Sequence, residues 1–251
     1  LLFGRSLLCL YQIKFDYVFD SPKFSKAFAW SGTPYGEGSS SDSATFIGRL
    51  ASDNERAKID PHNPCNKFTM SGVALLAIDL QRDFLEANGR QSVGPERAAR
   101  VIETSNRLVK HAAVAGWQTI FIKNEFSKND WFGNLLRGGS AIQGSAGAEM
   151  DPRVMVPENA PMIRKNKASA FTNPALEDLL KKSAIRQVIV LGVMTEACVR
   201  ATAKAARSRA LQVTLVSDAV ASRFEWLHRV GLIAMRKAGV EIKSSIDIMA
   251  P

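Results

Sequence analysis

From Gly72 onward the chain alternates between two kinds of hydrophobic pattern. Residues 73–79 (VALLAID) are a continuous apolar run closed by an acid, the pattern of a strand buried on both faces of a parallel sheet. Residues 95–115 repeat apolar positions at helical spacing through Val101, Ile102, Leu108, Val109 and Ala112, with Pro95 suited to a first turn. Gly116 ends that helix, and 117–123 (WQTIFIK) predicts the next strand. Residues 133–147 read as a glycine-containing loop, Met162–Lys165 as a short extended piece, and Pro174–Lys182 as a helix capped by Asn173. A strand over 187–192, an amphipathic helix over 195–209, a strand over 212–217, a helix over 224–238 and a last strand over 240–243 complete the series. Strands and helices alternating at this spacing predict right-handed βαβ units: an α/β domain whose sheet is parallel and covered on both faces.

Residues 1–69 carry no such alternation. Residues 31–44 (SGTPYGEGSSSDSA) are turn-like and 52–69 are polar and aperiodic. The first methionine is Met70, so 1–69 are expected to be a disordered leader or translated upstream sequence, and 70–251 one compact domain. The opening LLFGRSLLCLYQI is short, contains Arg5 and lacks a small-residue cleavage pattern, unlike a secretory signal. No apolar run approaches the roughly 18 residues that span a bilayer, so no membrane partner is expected.

The formal net charge of +9 raises the question of nucleic acid. Residues 1–69 hold 8 Lys and Arg against 7 Asp and Glu, leaving 25 against 17 in the rest. That excess is scattered, with no basic stripe interleaved with aromatics, which favours a plain basic surface or an anionic substrate over nucleic acid. The cysteines are Cys9, Cys65 and Cys198. An odd number without a CxxC is neither a disulfide framework nor a thiolate metal site, and a reducing, cytoplasmic setting is expected.

In an open parallel sheet the chemistry sits beyond the carboxyl ends of the strands. Asp79 closes the first strand, where a carboxylate is costly unless paired, although it could cap a helix, as Asp218 could. Cys198 falls in the first turn of a helix, where amide N–H groups favour a thiolate; a small buried packing residue is the competing reading. Lys165 and Lys167 are, by composition, surface residues as much as catalytic ones.

Three blocks join these signals. Asp79-Leu-Gln81-Arg-Asp83-Phe84, Lys165-Asn-Lys-Ala-Ser169-Ala170-Phe171 and Gly192-Val193-Met194-Thr195-Glu-Ala-Cys198-Val199 resemble the signature blocks of isochorismatase-like cysteine hydrolases. Gly144-Ser-Ala-Gly147 and Val216-Ser-Asp218-Ala219 resemble further segments of that family, and the resemblance runs from about Gly72 to the C-terminus. It implies a three-layer α/β/α sandwich with a mostly parallel open sheet, the Rossmann-like isochorismatase fold. By the same resemblance Asp79, Lys165 and Cys198 form a catalytic triad, Lys165 being preferred to Lys167 because it stands four residues before Ser169. A cis peptide between Val193 and Met194 and an oxyanion hole from the N–H groups of Met194 and Cys198 are also implied, as is a dimeric or tetrameric assembly.

Nicotinamidases of this superfamily hold a metal in an Asp/His cluster after the second strand. Here that stretch is Lys123-Asn124-Glu125-Phe126-Ser127, without histidine, while His62, His111 and His228 lie elsewhere. The expectation is an enzyme without metal or cofactor that cleaves the C–N bond of a small amide or ureide through a cysteine thioester. A vinyl-ether hydrolase of the isochorismatase type, or a silent binding module, is the alternative. Phe84, Asn124, Trp131 and Phe171 are candidates for lining the substrate pocket as well as for core or loop positions, and Arg164 for binding an anionic group.

Overall fold

The computed structural model describes residues 72–250; the expectations for residues 1–69, with Cys9, Cys65 and His62, lie outside the described residues. Strand β1 (Val73–Ile78) leads through a four-residue helix α1 (Arg82–Leu85) to the long helix α2 (Pro95–Val114) and then to β2 (Gln118–Asn124). A short helix α3 (Trp131–Leu136), strand β3 (Met162–Lys165) and helix α4 (Pro174–Lys182) follow. Strand β4 (Gln187–Val193) enters a π-helical turn (Thr195–Val199) that continues as α5 (Arg200–Arg207). Strand β5 (Gln212–Ala221), helix α6 (Glu225–Lys237), strand β6 (Glu241–Lys243) and helix α7 (Ser245–Met249) complete the order.

The strands form one sheet in the order β3-β2-β1-β4-β5-β6, and each neighbouring pair is parallel. The expected parallel α/β sandwich is therefore present, and the sheet is parallel throughout. Period-two alternation divides its side chains. Leu76, Ile78, Ile122, Val190 and Leu215 point to one face, where Leu176 and Leu180 of α4, Ala203 of α5 and Met235 of α6 cover them. Leu75, Ala77, Phe121, Ile189 and Leu191 point to the other, under Val101 and Leu108 of α2 and Ile248 and Met249 of α7. Among the described residues no helix is long and apolar enough to cross a membrane.

Where pattern and structure differ, the cause is local. The stretch 133–147 includes most of α3, whose first turn is secured by the Asp130 side chain accepting from the Gly133 N–H at 3.0 Å. Strand β5 runs past the predicted end at residue 217 because its pairing with β4 shifts between Val190 and Gly192, so polar Ser217 and Asp218 interrupt the pattern without ending the strand. Helix α7 is too short for periodicity; a Ser244–Asp247 capping box secures its start. Asp218 does cap a helix, accepting from the Ser245 N–H at 2.7 Å.

One glycine sets how closely two layers approach. Gly231, buried on α6, faces the π-helical turn, and a Cβ there would stand 2.9 Å from the backbone N and Cα of Glu196. Gly231→Ala would ordinarily gain about 1 kcal/mol of helix propensity. Here the sign is expected to reverse, because overpacking against backbone costs roughly 1–3 kcal/mol. Thermal unfolding checks this: Tm should fall by several degrees, and a rise would contradict the packing described.

Candidate active site

Strand order reverses beside β1: β2 and β3 lie on one side of it, β4 to β6 on the other. Connections leave β1 and β4 in opposite directions, opening a crevice beyond their carboxyl ends. Asp79 follows β1 directly in a left-handed conformation (φ 54°), one that aspartate tolerates better than most residues, and its N–H is tied to the Ile122 carbonyl of β2 at 2.9 Å. Cys198 lies in the π-helical turn that follows β4. That strand approaches β1 closely at Gly192 (φ +123°), where a Cβ would meet the Ile78 carbonyl oxygen at 2.0 Å. The Val193–Met194 peptide ahead of the turn is cis.

Lys165 ends β3 and reaches both other groups. Its Nζ donates to Asp79 Oδ2 at 2.8 Å and to Cys198 Sγ at 3.2 Å. The Lys165 and Asp79 side chains are 0% and 1% exposed, so this ion pair is removed from water. Burial pulls the lysine down, but the negative charge of Asp79 and the hydrogen bonds to Asp79 and Cys198 outweigh it, and the lysine is held above its ordinary range. Burial pushes the Asp79 carboxyl up against the opposing pull of Lys165. The Cys198 thiol is pushed up to about 12, by burial first and then by the Asp79 charge, with Lys165 acting in the other direction. Burial and the Asp79 charge thus oppose the thiolate that a helix start alone would favour.

Several polar residues to which the sequence reading assigned no role hold this geometry. Gln81, fully buried, donates from Nε2 to the Asn124 and Ala148 carbonyls at 2.7 and 2.6 Å and accepts from the Asn124 N–H at 2.8 Å. It ties the end of β2 to the segment after β1. Asp83 accepts from the Ala141 N–H at 2.8 Å and packs on Gly147, where a Cβ would stand 2.1 Å from its carboxylate. Behind the nucleophile turn Ser222 donates to Glu196, and Thr195 Oγ1 lies 3.0 Å from His228 Nδ1. The available signal was polarity: glutamine, aspartate and threonine at positions flanked by buried strands must find internal partners.

A cleft of about 390 Å³ opens beside β3, lined by Glu125, Ser127, Gln143, Arg164 and Asn166 together with Lys165. Of the four pocket candidates, Phe84 and Phe171 are 5% and 8% exposed and pack in the core clusters, one on each face of the sheet. The Phe171 ring is also covered by the Arg209 guanidinium at 4.5 Å. Trp131 is 74% exposed and meets Phe132 edge to face at 5.7 Å, outside the cleft lining. Asn124 is 3% exposed at the end of β2. Arg164 does line the cleft, 69% exposed and 3.7 Å from Glu125.

The chain matches the isochorismatase domain over residues 73–247. A probable inactive nicotinamidase of Arabidopsis thaliana is 28% identical over 178 residues, covering 67% of this chain and 90% of that protein. Nicotinamidase 3 of the same plant is 28% identical, covering 64% and 78%. The crystal structure of the pyrazinamidase of Pyrococcus horikoshii in complex with zinc is 29% identical with a TM-score of 0.63, covering 69% of this chain and 99% of that one.

Zinc in that relative prompts a test of the donor set here. After β2 the Lys123 ammonium is 3.0 Å from both Glu125 and Glu149, so the carboxylates of this corner already neutralise a fixed cation. Among the described residues no three His, Cys, Asp or Glu side chains converge, and His111 and His228 are spent on Trp117 and Thr195. The described residues of this corner do not fit a zinc site. With a domain match that spans nearly the whole six-stranded fold, the chain belongs to the isochorismatase family of hydrolases.

Proposed function

We propose that the protein is a metal-independent cysteine amidohydrolase acting on a small amide or ureide, with Asp79, Lys165 and Cys198 as its catalytic groups. The observation that carries this reading is the single ammonium bridging a buried carboxylate and a thiol at 2.8 and 3.2 Å. Amidohydrolases among its relatives support it: nicotinamidase 3 of Arabidopsis thaliana, and at 24% identity the ureidoacrylate amidohydrolase of Acinetobacter baylyi.

In the free site Asp79 is a carboxylate, Lys165 an ammonium and Cys198 a thiol, so the buried cluster is neutral. As Sγ attacks the substrate carbonyl carbon, its proton passes to Asp79 and the negative charge moves to the carbonyl oxygen. Lys165 stays charged throughout, so the net charge of the water-excluded site never changes. The Met194 and Cys198 N–H groups hold the oxyanion, worth on the order of 3 kcal/mol per donor. The C–N bond then breaks, Asp79 returns the proton to the leaving nitrogen, and a thioester remains on Cys198. Water, deprotonated by Asp79, cleaves the C–S bond and restores the thiol.

A panel of small amides, ureides and isochorismate, read by ammonia release and product analysis, tests the assignment. Cys198→Ala should lower kcat by about 10⁴-fold or more while leaving the melting curve intact; substantial residual amide turnover would remove the covalent route. Asp79→Ala and Lys165→Ala should also abolish turnover. Each leaves the other member of a buried ion pair alone, at a further cost of about 3–5 kcal/mol in stability.

The protonation states give two pH signatures. Catalysis needs Asp79 ionised, and burial raises that carboxyl above its ordinary 3.8. kcat/KM should therefore rise with pH along an acid limb whose midpoint lies above 3.8, and a midpoint below it would contradict the assignment. Alkylation by N-ethylmaleimide, followed at the Cys198 peptide, should accelerate steadily up to pH 10 without a plateau, because the thiol titrates near 12. A plateau below pH 8 would mean a resting thiolate. Exhaustive dialysis against chelator should leave activity unchanged.

A further inference from the structure

Behind the nucleophile, Thr195 relies on one side chain. The residue is fully buried, and among the described residues the partner of its hydroxyl is the His228 ring, with Oγ1 and Nδ1 3.0 Å apart. A buried hydroxyl carries a proton that must find an acceptor. The ring supplies one only when Nδ1 is bare, which places the imidazole proton on Nε2 and leaves His228 neutral.

The surroundings of the ring keep it neutral. His228 lies in the first turn of α6, whose positive end resists a further positive charge. Burial disfavours the imidazolium most; Glu225 of the same helix opposes this, while Arg100 and Arg97 of α2 and Arg229 of α6 act with burial. The ring is held below its ordinary 6.5. At the other end of the bond, the nucleophile turn needs outside support. It is a π-helical piece of five residues, Thr195–Val199, a form found mostly as isolated single turns. Hydrogen bonds from its side chains run to three places. Glu196 accepts from Ser222 just beyond β5, Cys198 accepts from Lys165 at the end of β3, and Thr195 reaches α6. Gly231 lets α6 approach closely but has no side chain with which to fix the turn's direction.

We infer that His228 positions the nucleophile: its neutral ring accepts the Thr195 hydroxyl at Nδ1 and so sets where Cys198 Sγ stands against Lys165 and the substrate carbonyl, and a proton on Nδ1 undoes the tie. His228 is a positioning residue and touches no reacting atom. The inference rests on the amidohydrolase reading above and adds a second titrating group to it. With Nδ1 protonated the ring becomes a donor, and the Thr195 hydroxyl loses its acceptor. The imidazolium then faces three arginines against one glutamate. The turn relieves this by shifting off the ring, and a displacement of about 1 Å at a reacting group can cost on the order of 100-fold in rate. The loss falls on kcat rather than KM, because Thr195 and His228 lie behind the turn and outside the cleft lining.

The test reads ammonia release from nicotinamide and from N-carbamoylglycine as a function of pH, with melting curves to confirm folding. At pH 8, Thr195→Val and His228→Phe should each lower kcat by about 10- to 100-fold and leave KM within about threefold. The double variant should be no slower than the slower single one, because either change breaks the same bond. His228→Asn puts a carboxamide oxygen where Nδ1 stands and should keep kcat within about threefold of wild type. That oxygen takes up no proton, so the ratio of wild-type to His228→Asn kcat should be flat above pH 7 and fall with pH through a midpoint below 6.5. Asp79 titrates in both proteins and cancels from the ratio. Ring-nitrogen NMR of wild type should show Nδ1 without a proton at pH 8. Thr195→Val keeps the side-chain volume and carries the test alone if His228→Phe fails to fold. Unchanged kcat in folded variants, multiplied losses in the double variant, an asparagine variant as slow as the phenylalanine one, a flat ratio at all pH or a proton on Nδ1 overturns the inference. Cys198-dependent turnover then leaves the amidohydrolase reading standing. No turnover of either substrate by wild type counts against both.

Discussion

Lys165 and Asp79 are oppositely charged, 2.8 Å apart and almost wholly without solvent, and the rest of the domain is arranged around keeping them so. Removing two ions from water is favourable only when geometry is good and the remaining hydrogen-bonding capacity is met. The sheet order meets the first demand. Asp79 and Lys165 come from strands β1 and β3 with β2 between them, and Gln81 locks the end of β2 to the segment after β1. The second demand is met in part by Cys198 Sγ, which accepts from the same ammonium. Gly192 and Gly231 allow the backbone approaches that bring the cysteine's turn into place.

Charge conservation in a dry site then decides the chemistry. A thiolate beside Asp79 would add a second negative charge that one lysine does not offset, and burial resists it further. In the proposed mechanism the site rests as a neutral cluster and moves a proton internally when substrate arrives. Polarity continues outward: the corner after β2 pairs Lys123 with Glu125 and Glu149, and this fixed cation stands where the donor set is wrong for zinc. Glu125, Ser127, Gln143, Arg164 and Asn166 bring polar groups to the cleft beside β3.

Much of this was legible in the chain. Continuous apolar runs marked β1, β2 and β4 because both faces of a parallel strand are buried, and the acid closing 73–79 announced a carboxylate that needed a partner. Local physics also marked the limits. Helices α1 and α7 span one turn or slightly more and have no periodicity to read, and polar Ser217 and Asp218 masked the length of β5. Aromatic residues near a site motif look alike whether they fill a core or line a cleft: Phe84 and Phe171 proved to be core, Trp131 solvent-exposed. The electrostatics of the cysteine are only partly visible in the sequence, because a helix start is a local feature, whereas the opposing burial and the Asp79 charge come from strands distant in sequence. Gln81 was visible as a residue, but its hydrogen bonds run across the sheet, where spacing alone does not reveal them.

The central claim is that Cys198 carries the acyl group during turnover. Rapid acid quench of the working enzyme, followed by mass spectrometry of the Cys198 peptide, measures this directly. The account predicts a population of that peptide heavier by the substrate's acyl group, formed before product and absent when Asp79 is replaced. Steady turnover with the Cys198 peptide unmodified at every time point would contradict it.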